Sequence, residues 1–395
     1  MNKMRKIHGG VCAAEGFVAG ATGCGIKTGK AARDDLAVVF SEAAATAAAT
    51  FTTNKVKAAP VRISAEHLRA GKVRAVVLNS GNANACTGPI GLADARAMAA
   101  ATAKALALKS SQVLVCSTGR IGVPMPMQAV LKGISSVKLS RAGSGKTAKA
   151  IMTSDTFSKE VALEVTTHDG NFRIGGLAKG AGMIDPNMAT MLCVVTTDAI
   201  VPADALRRML RDSVEDSFNR ITIDGDMSTN DTAIILANGA SGISPSPAIF
   251  RSALDFITRA LARMIVEDGE GVSRFVEVEV RRAASQADAR KAAEAIANST
   301  LVKCAWAGGD PNWGRILDAV GYSGAKIKEA SADIFYDALP AAVNGTVSRI
   351  PVKKLRQIAA KKAFRVTVDL KLGTASHVVW TTDLTEEYVR LNLGE

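Results

Sequence analysis

Aromatic side chains are scarce in this chain: three Trp, three Tyr and eleven Phe make up 4% of 395 residues. Base-stacking platforms are therefore few, and the densest basic stretch, Lys353 to Arg365, holds only Phe364. The formal charge of +12 reads as solvated faces that would suit a small acidic substrate, with no nucleic acid as partner. There are only four His, and none of the six Cys forms a C-x-x-C pair. Zinc-type ligand spacing is absent, so neither a metal nor a cofactor is expected, and the thiols read as reduced and mostly buried. No apolar run approaches the roughly 20 residues of a membrane span. The basic start, MNKMRKIHGG, leads into Gly-rich sequence rather than the apolar stretch of a signal peptide. A cytoplasmic protein with no membrane association is expected. No G-x-G-x-x-G follows the first strand, which argues against a Rossmann fold. Gly143–Thr147 imitates a P-loop, but Ser140 stands where its first Gly is needed, and the alternative is a flexible surface linker.

What is present is organised around Lys179–Asp198. Gly180, Gly182, Asp185, Pro186 and Asn187 are turn residues, and Met191–Val195 is an apolar run of strand length. Ala189-Thr190 sits at the junction. A Thr hydroxyl there can attack its own preceding carbonyl, shift the acyl group from N to O, and leave a new N-terminal Thr once water splits the ester. Its α-amine, with a reference pKa of roughly 8, can then serve as base for its own Oγ. A Thr opening a β-strand is also ordinary, because β-branched residues favour strands.

Other segments add possible chemistry. Arg74–Leu78 reads as a buried strand running into the amide-rich Asn79–Gly88, which lines a site or simply turns. Gln112–Cys116 is another strand, ending in Ser117-Thr118-Gly119-Arg120, where a hydroxyl and backbone N–H groups can face a developing oxyanion or make a plain turn. Asp224–Thr232 carries three carboxylates and reads as a hydrogen-bonded supporting loop. Glu270 lies between two glycines, where a carboxylate can approach a ligand or lie in a helix-terminal turn. Ala43–Ala49 suggests a helix or tight packing, Phe51–Val61 a loop leading to a strand, and Ile134–Leu139 a weak strand. Ala93–Leu108, Ala203–Phe218, Ala248–Val266 and Ala287–Asn298 read as helices. Phe275–Val280 (FVEVEV) alternates cleanly as a strand, and Arg365–Leu372 with Ser376–Trp380 suggests a hairpin across Gly373. Layered α/β with substantial antiparallel sheet fits this order.

Nine stretches, in order, carry a resemblance that runs nearly end to end: GFVAG…GIK, FTTNKVKAAPV, NSGNANACTG, STG-x-IG, IMTSDTF, AKGAGMIDPNMATML, DGDMSTNDT, EDGEG and DPNWGR. The chain resembles the ornithine acetyltransferases of arginine biosynthesis, also called glutamate N-acetyltransferases. The resemblance implies a four-layer αββα sandwich. It implies self-cleavage between Ala189 and Thr190, giving chains 1–189 and 190–395 that pair into an α2β2 heterotetramer. It implies that Thr190 takes acetyl from N2-acetylornithine and passes it to glutamate; some members also use acetyl-CoA. Thr118 and Gly119 match the oxyanion hole, and Thr153, Lys179, Glu270 and Asn392 match substrate contacts. Lys179 is expected to meet a substrate carboxylate and Glu270 the ornithine ammonium. Arg120, Ser154 and Ser273-Arg274 depart from the family pattern. Members of the family usually run a few residues beyond the position of Glu395, to a Thr or Ser that touches substrate. A Thr hydrolase or aminopeptidase of the same fold, with water as acceptor, is the alternative.

Overall fold

In the computed structural model, residues 3–27, 29, 33–185 and 191–393 are described. They divide into two units: Met1–Asn219 with Asp226–Ile265, and Arg220–Gly225 with Val266–Glu395.

Period-two alternation builds the first unit. In the strands Leu36–Ser41, Ala75–Asn82 and Val113–Arg120, Ala37, Val39, Val76, Leu78, Leu114 and Cys116 share one core with Leu177, Leu192, Val194, Ile234 and Leu236. The intervening Leu36, Val38, Ala75, Val77, Val113 and Val115 join a second core with Met98, Ala99, Val130 and Ile134. Successive side chains point to opposite faces. A four-stranded sheet, led by Phe17–Thr22, is therefore sandwiched between a second sheet and the helices Gly88–Ala105 and Met127–Ser136. Burying each Val or Leu contributes about 1.5–3 kcal/mol, so a one-residue slip in register is strongly disfavoured.

The second sheet has six strands in the spatial order Lys3–Ile7, Lys159–Thr167, Gly170–Lys179, Leu192–Thr197, Thr232–Ala237 and Thr46–Phe51. Its far side is covered by helices. Phe172 stacks on Phe250 with centroids 6.1 Å apart. A Cβ on Gly176 would meet Ile257 and Leu261 of the helix Pro247–Glu267 at 3.1 and 3.2 Å. The helix Ala203–Glu215 is joined to the same helix through Ser213 and Thr258, 2.9 Å apart. The expected four-layer αββα arrangement is thus complete within the first unit.

The second unit has one six-stranded sheet, in the order Thr346–Val347, Leu339–Val343, Asp333–Tyr336, Ala363–Asp369, Phe275–Ala283, Ala375–Thr382. Val276, Val278 and Val280 enter a core with Ala292, Ile296, Trp306 and Ile316 from three helices. Glu277 and Glu279 take the opposite face, where Glu277 accepts from Trp380 Nε1 at 2.9 Å and pairs with Arg365 at 2.5 Å.

Several local expectations fail, two of them because long-range strand pairing outweighs local pattern. The hairpin across Gly373 does not form: Phe275–Ala283 lies between the two segments, parallel to one and antiparallel to the other. The small residues at 46–51 form a strand paired with Thr232–Ala237, despite alanine's helix preference. Phe51–Val61 leads into the helix Ala59–Arg69, with Pro in its first turn. Most of Ile134–Leu139 is not strand, because Met127–Ser136 is helical. Gly143–Thr147 is no flexible linker: Ser144–Ala150 is a helix, with Thr147 and Ala148 buried.

Candidate active site

Alternation along two facing strands brings the first group together. Lys179 ends Gly170–Lys179 on the same face as Leu177, and Thr118 follows Leu114 and Cys116 on the inner face of its own strand. Both faces look into the space between the sheets, and there Lys179 Nζ lies 3.5 Å from Thr118 Oγ1. Lys179 Nζ also donates to Thr153 Oγ1 at 2.7 Å. Lys179 and Thr118 are buried, at 3% and 6% exposed, so their interaction operates in a poorly solvated medium, while Thr153 is exposed.

Asp155 fixes this group. One of its oxygens accepts from Lys159 Nζ at 2.7 Å and from the Gly180 N–H at 2.8 Å. The other accepts the Thr153 N–H at 2.9 Å and lies 3.9 Å from Lys179 Nζ. Burial alone would raise this carboxyl, but Lys179 and Lys159 outweigh it and hold Asp155 well below the usual carboxylate range. It is a buried anion between two cations.

Gly119 is glycine for a steric reason. Its φ is +127°, and a Cβ there would lie 2.4 Å from the Gly81 carbonyl carbon of the neighbouring strand end. The amide-rich segment forms that neighbour. Asn79 Nδ2 donates to Asn82 O at 2.8 Å, and Asn79 Oδ1 accepts from Ser117 Oγ at 2.6 Å. From the Asp224–Thr232 segment, Asn230 Nδ2 donates to Ala83 O and Ser117 O at 2.7 and 2.9 Å. These bonds hold the Thr118-Gly119 backbone against its neighbour, which an oxyanion hole requires of its donors.

Ala189 and Thr190 lie outside the described residues. Met191, bonded directly to Thr190, is buried, and its N–H donates to Asp231 Oδ1 at 2.9 Å. The next residue, Leu192, is in register with Lys179 on one side and Thr232 on the other.

Glu270 and Asn392 form a second group, within the second unit. Asn392 Nδ2 donates to Glu270 Oε2 at 2.8 Å and to Tyr388 O at 2.9 Å. Gly271, at φ +65°, permits the close approach: a Cβ there would meet the Tyr388 nitrogen at 2.5 Å. Thr385 Oγ1 closes the contact onto Gly271 O at 2.6 Å. The backbone N–H groups of Ser273 and Arg274 donate to Asp383 at 2.9 and 3.0 Å, and Arg274 Nη1 lies 3.3 Å from the same carboxylate. These bonds tie the glutamate loop to the segment that leads into Asn392.

Asp155, Lys159 and Asp231 were not singled out from sequence. The available signal was a lone acid inside a hydroxyl-rich motif beside a buried strand, in IMTSDTF and again in STNDT. Among the described residues, no group of three or more His, Cys, Asp or Glu could hold a metal ion. Nor is any described helix long and apolar enough to cross a membrane. A cavity of about 430 Å³ opens at the opposite ends of the central strands, lined in part by Thr46, Val201, Ala237 and Gly239, and it offers no group for acyl chemistry.

The ArgJ family model matches residues 18–394. The chain is 49% identical over 387 residues to the arginine biosynthesis bifunctional protein ArgJ of Geobacter sulfurreducens, covering 96% of this chain and 98% of that protein. It is 45% identical over 408 residues to the glutamate N-acetyltransferase of Methanocaldococcus jannaschii, covering 98% and 99%. A solved structure of ornithine acetyltransferase complexed with ornithine, from Mycobacterium tuberculosis, matches at 42% identity and a TM-score of 0.44, over 48% of this chain and 100% of that one. The chain belongs to the ArgJ family.

Proposed function

We propose that this chain cuts itself between Ala189 and Thr190, and that the freed Thr190 carries acetyl from N2-acetylornithine to glutamate. Acetyl transfer in arginine biosynthesis is the activity of an enzyme of this family. The observation that carries the Thr190 assignment is the convergence of Lys179, Thr118 and Thr153 beside the strand whose register starts at Leu192.

In this reading the neutral α-amine of Thr190 takes the proton of its own Oγ as Oγ attacks the acetyl carbonyl. Thr118 Oγ1–H and the Gly119 N–H receive the oxyanion, a contribution of about 3–4 kcal/mol to the transition state for each well-placed donor. Ornithine leaves, and the glutamate amine attacks the acetyl ester in turn. Lys179 offers its charge, and Thr153 its hydroxyl, to a substrate carboxylate; Glu270, oriented by Asn392, meets the ornithine ammonium. The chains 1–189 and 190–395 stay associated as an α2β2 heterotetramer working in the cytoplasm.

The test is product analysis. Incubation with N2-acetylornithine and glutamate is expected to yield N-acetylglutamate and ornithine in equal amounts. Free acetate as the sole acyl product would make water the acceptor and the chain a hydrolase. Acetyl-CoA supplied in place of acetylornithine reads out whether it is a second donor.

A further inference from the structure

Asp231 is fully buried immediately before the strand Thr232–Ala237. Its Oδ1 accepts the Met191 N–H, while its Oδ2, equally buried, has no hydrogen-bond partner among the described residues. Leaving a buried polar atom unpaired costs about 1–3 kcal/mol, so the arrangement calls for a reason. The neighbours are committed elsewhere. Asn230 Nδ2 serves Ala83 O and Ser117 O, Thr232 Oγ1 donates to Asn230 O at 2.9 Å, and the Met191 carbonyl accepts the Thr232 N–H at 3.1 Å. Burial pushes the Asp231 carboxyl well above the carboxylate range; the Met191 N–H and the Lys179 charge, the only charged side chain acting on it among the described residues, pull it down by less. Burial thus favours its protonated form.

Covalent geometry fixes how near this acid is to the proposed cut. The Thr190 nitrogen is three bonds from the Met191 nitrogen that Asp231 holds, which is about 3.7 Å at most. We propose that Asp231 is the proton relay of self-cleavage, moving a proton from Thr190 Oγ to Thr190 N through its Oδ2. The inference rests on the cut before Thr190 proposed above. Thr190 Oγ bonds to the Ala189 carbonyl carbon, and the C–N bond to Thr190 breaks. The departing nitrogen takes the Asp231 proton, and the Oγ proton returns to Asp231. The amide has become an ester and the carboxyl ends as it began. Water then adds to the ester carbon, so that Ala189 leaves with a carboxyl group and Thr190 keeps a free hydroxyl and amine. The grip of Oδ1 on Met191 N–H holds the relay in place throughout.

The test follows the cut by intact mass after cell-free synthesis of the full chain, wild type beside Asp231→Asn, from pH 6 to pH 10. Asn can still accept the Met191 N–H but supplies no acid. The expected result is cutting slowed by about 100-fold or more in Asp231→Asn, with the thermal midpoint close to wild type. Wild-type cutting should slow as rising pH removes the Asp231 proton, and residual cutting in the variant should lack that decline. Cutting at the wild-type rate in Asp231→Asn, or the same decline in both, would overturn the relay and leave the Thr190 reading intact. A wild-type chain that never cuts would overturn the Thr190 reading itself. If Asp231→Asn does not fold, the wild-type profile decides: a rate that keeps rising to pH 10 excludes an acid relay.

Discussion

Lys179 Nζ lies 2.7 Å from Thr153 Oγ1 and 3.9 Å from Asp155 Oδ2, so one buried carboxylate orders both the cation and the hydroxyl proposed to receive substrate. Lys159 stands closer to that carboxylate, at 2.7 Å. Asp155→Asn would therefore leave two buried lysines without their anion. Breaking such a group costs about 3–5 kcal/mol. Because the Asp155 carboxyl is lowered in the fold, its contribution is present above the unfolded value of roughly 4 and is lost as pH falls below it. Denaturant unfolding from pH 3 to pH 8 should show this acid loss in wild type and not in the variant. Equal stability of the two at pH 7 would contradict the assignment.

Gly119→Ala would place a methyl group against Gly81 and force a residue with a side chain into φ +127°. The oxyanion donor would shift. On enzyme that has already been cut, kcat should fall by about 100-fold or more, with a smaller change in KM. An unchanged kcat would remove Gly119 from the oxyanion hole.

Glu270→Gln keeps an oxygen for Asn392 but loses the charge proposed for the ornithine ammonium. KM for N2-acetylornithine should rise by about tenfold or more, corresponding to a lost charge-assisted hydrogen bond of about 1.5–3 kcal/mol. If the Michaelis constants for both substrates and the rate stay as they were, Glu270 is not a substrate contact.

Lys303, in the second unit, is a buried cation site unrelated to this chemistry. Its Nζ donates to Thr382 O at 2.6 Å and Thr381 Oγ1 at 2.9 Å. Burial lowers it to about 7, against the upward pull of Asp383 and Asp224. The unfolded lysine titrates near roughly 10.4, so between these values the unfolded chain binds more protons and stability rises with pH. Lys303→Met should flatten the rise in unfolding free energy between pH 7 and pH 10. A rise of the same slope in the variant would assign it to another group.

The sequence is most readable where one local pattern decides the outcome. FVEVEV places three valines in the core and its glutamates on the opposite face by alternation alone. The apolar run after Thr190 is a buried strand, and Thr118, Thr153 and Lys179 do converge. What escaped local reading depends on distant partners. The segment across Gly373 has the pattern of a hairpin, but Phe275–Ala283, about ninety residues earlier in the chain, pairs between its two arms. Asp231 takes its meaning from Met191, 40 residues away. Asp155 looks like one more polar residue in a hydroxyl-rich loop until the strand end carrying Lys179 is folded against it.

The central claim is that Thr190 becomes an N-terminal nucleophile, and intact mass of the purified wild-type chain beside Thr190→Ala tests it most directly. The expected result is two wild-type fragments meeting between Ala189 and Thr190, and one uncut chain in the variant. A single uncut chain in active wild-type protein would contradict the account, because Thr190 would then have no α-amine to act as its base.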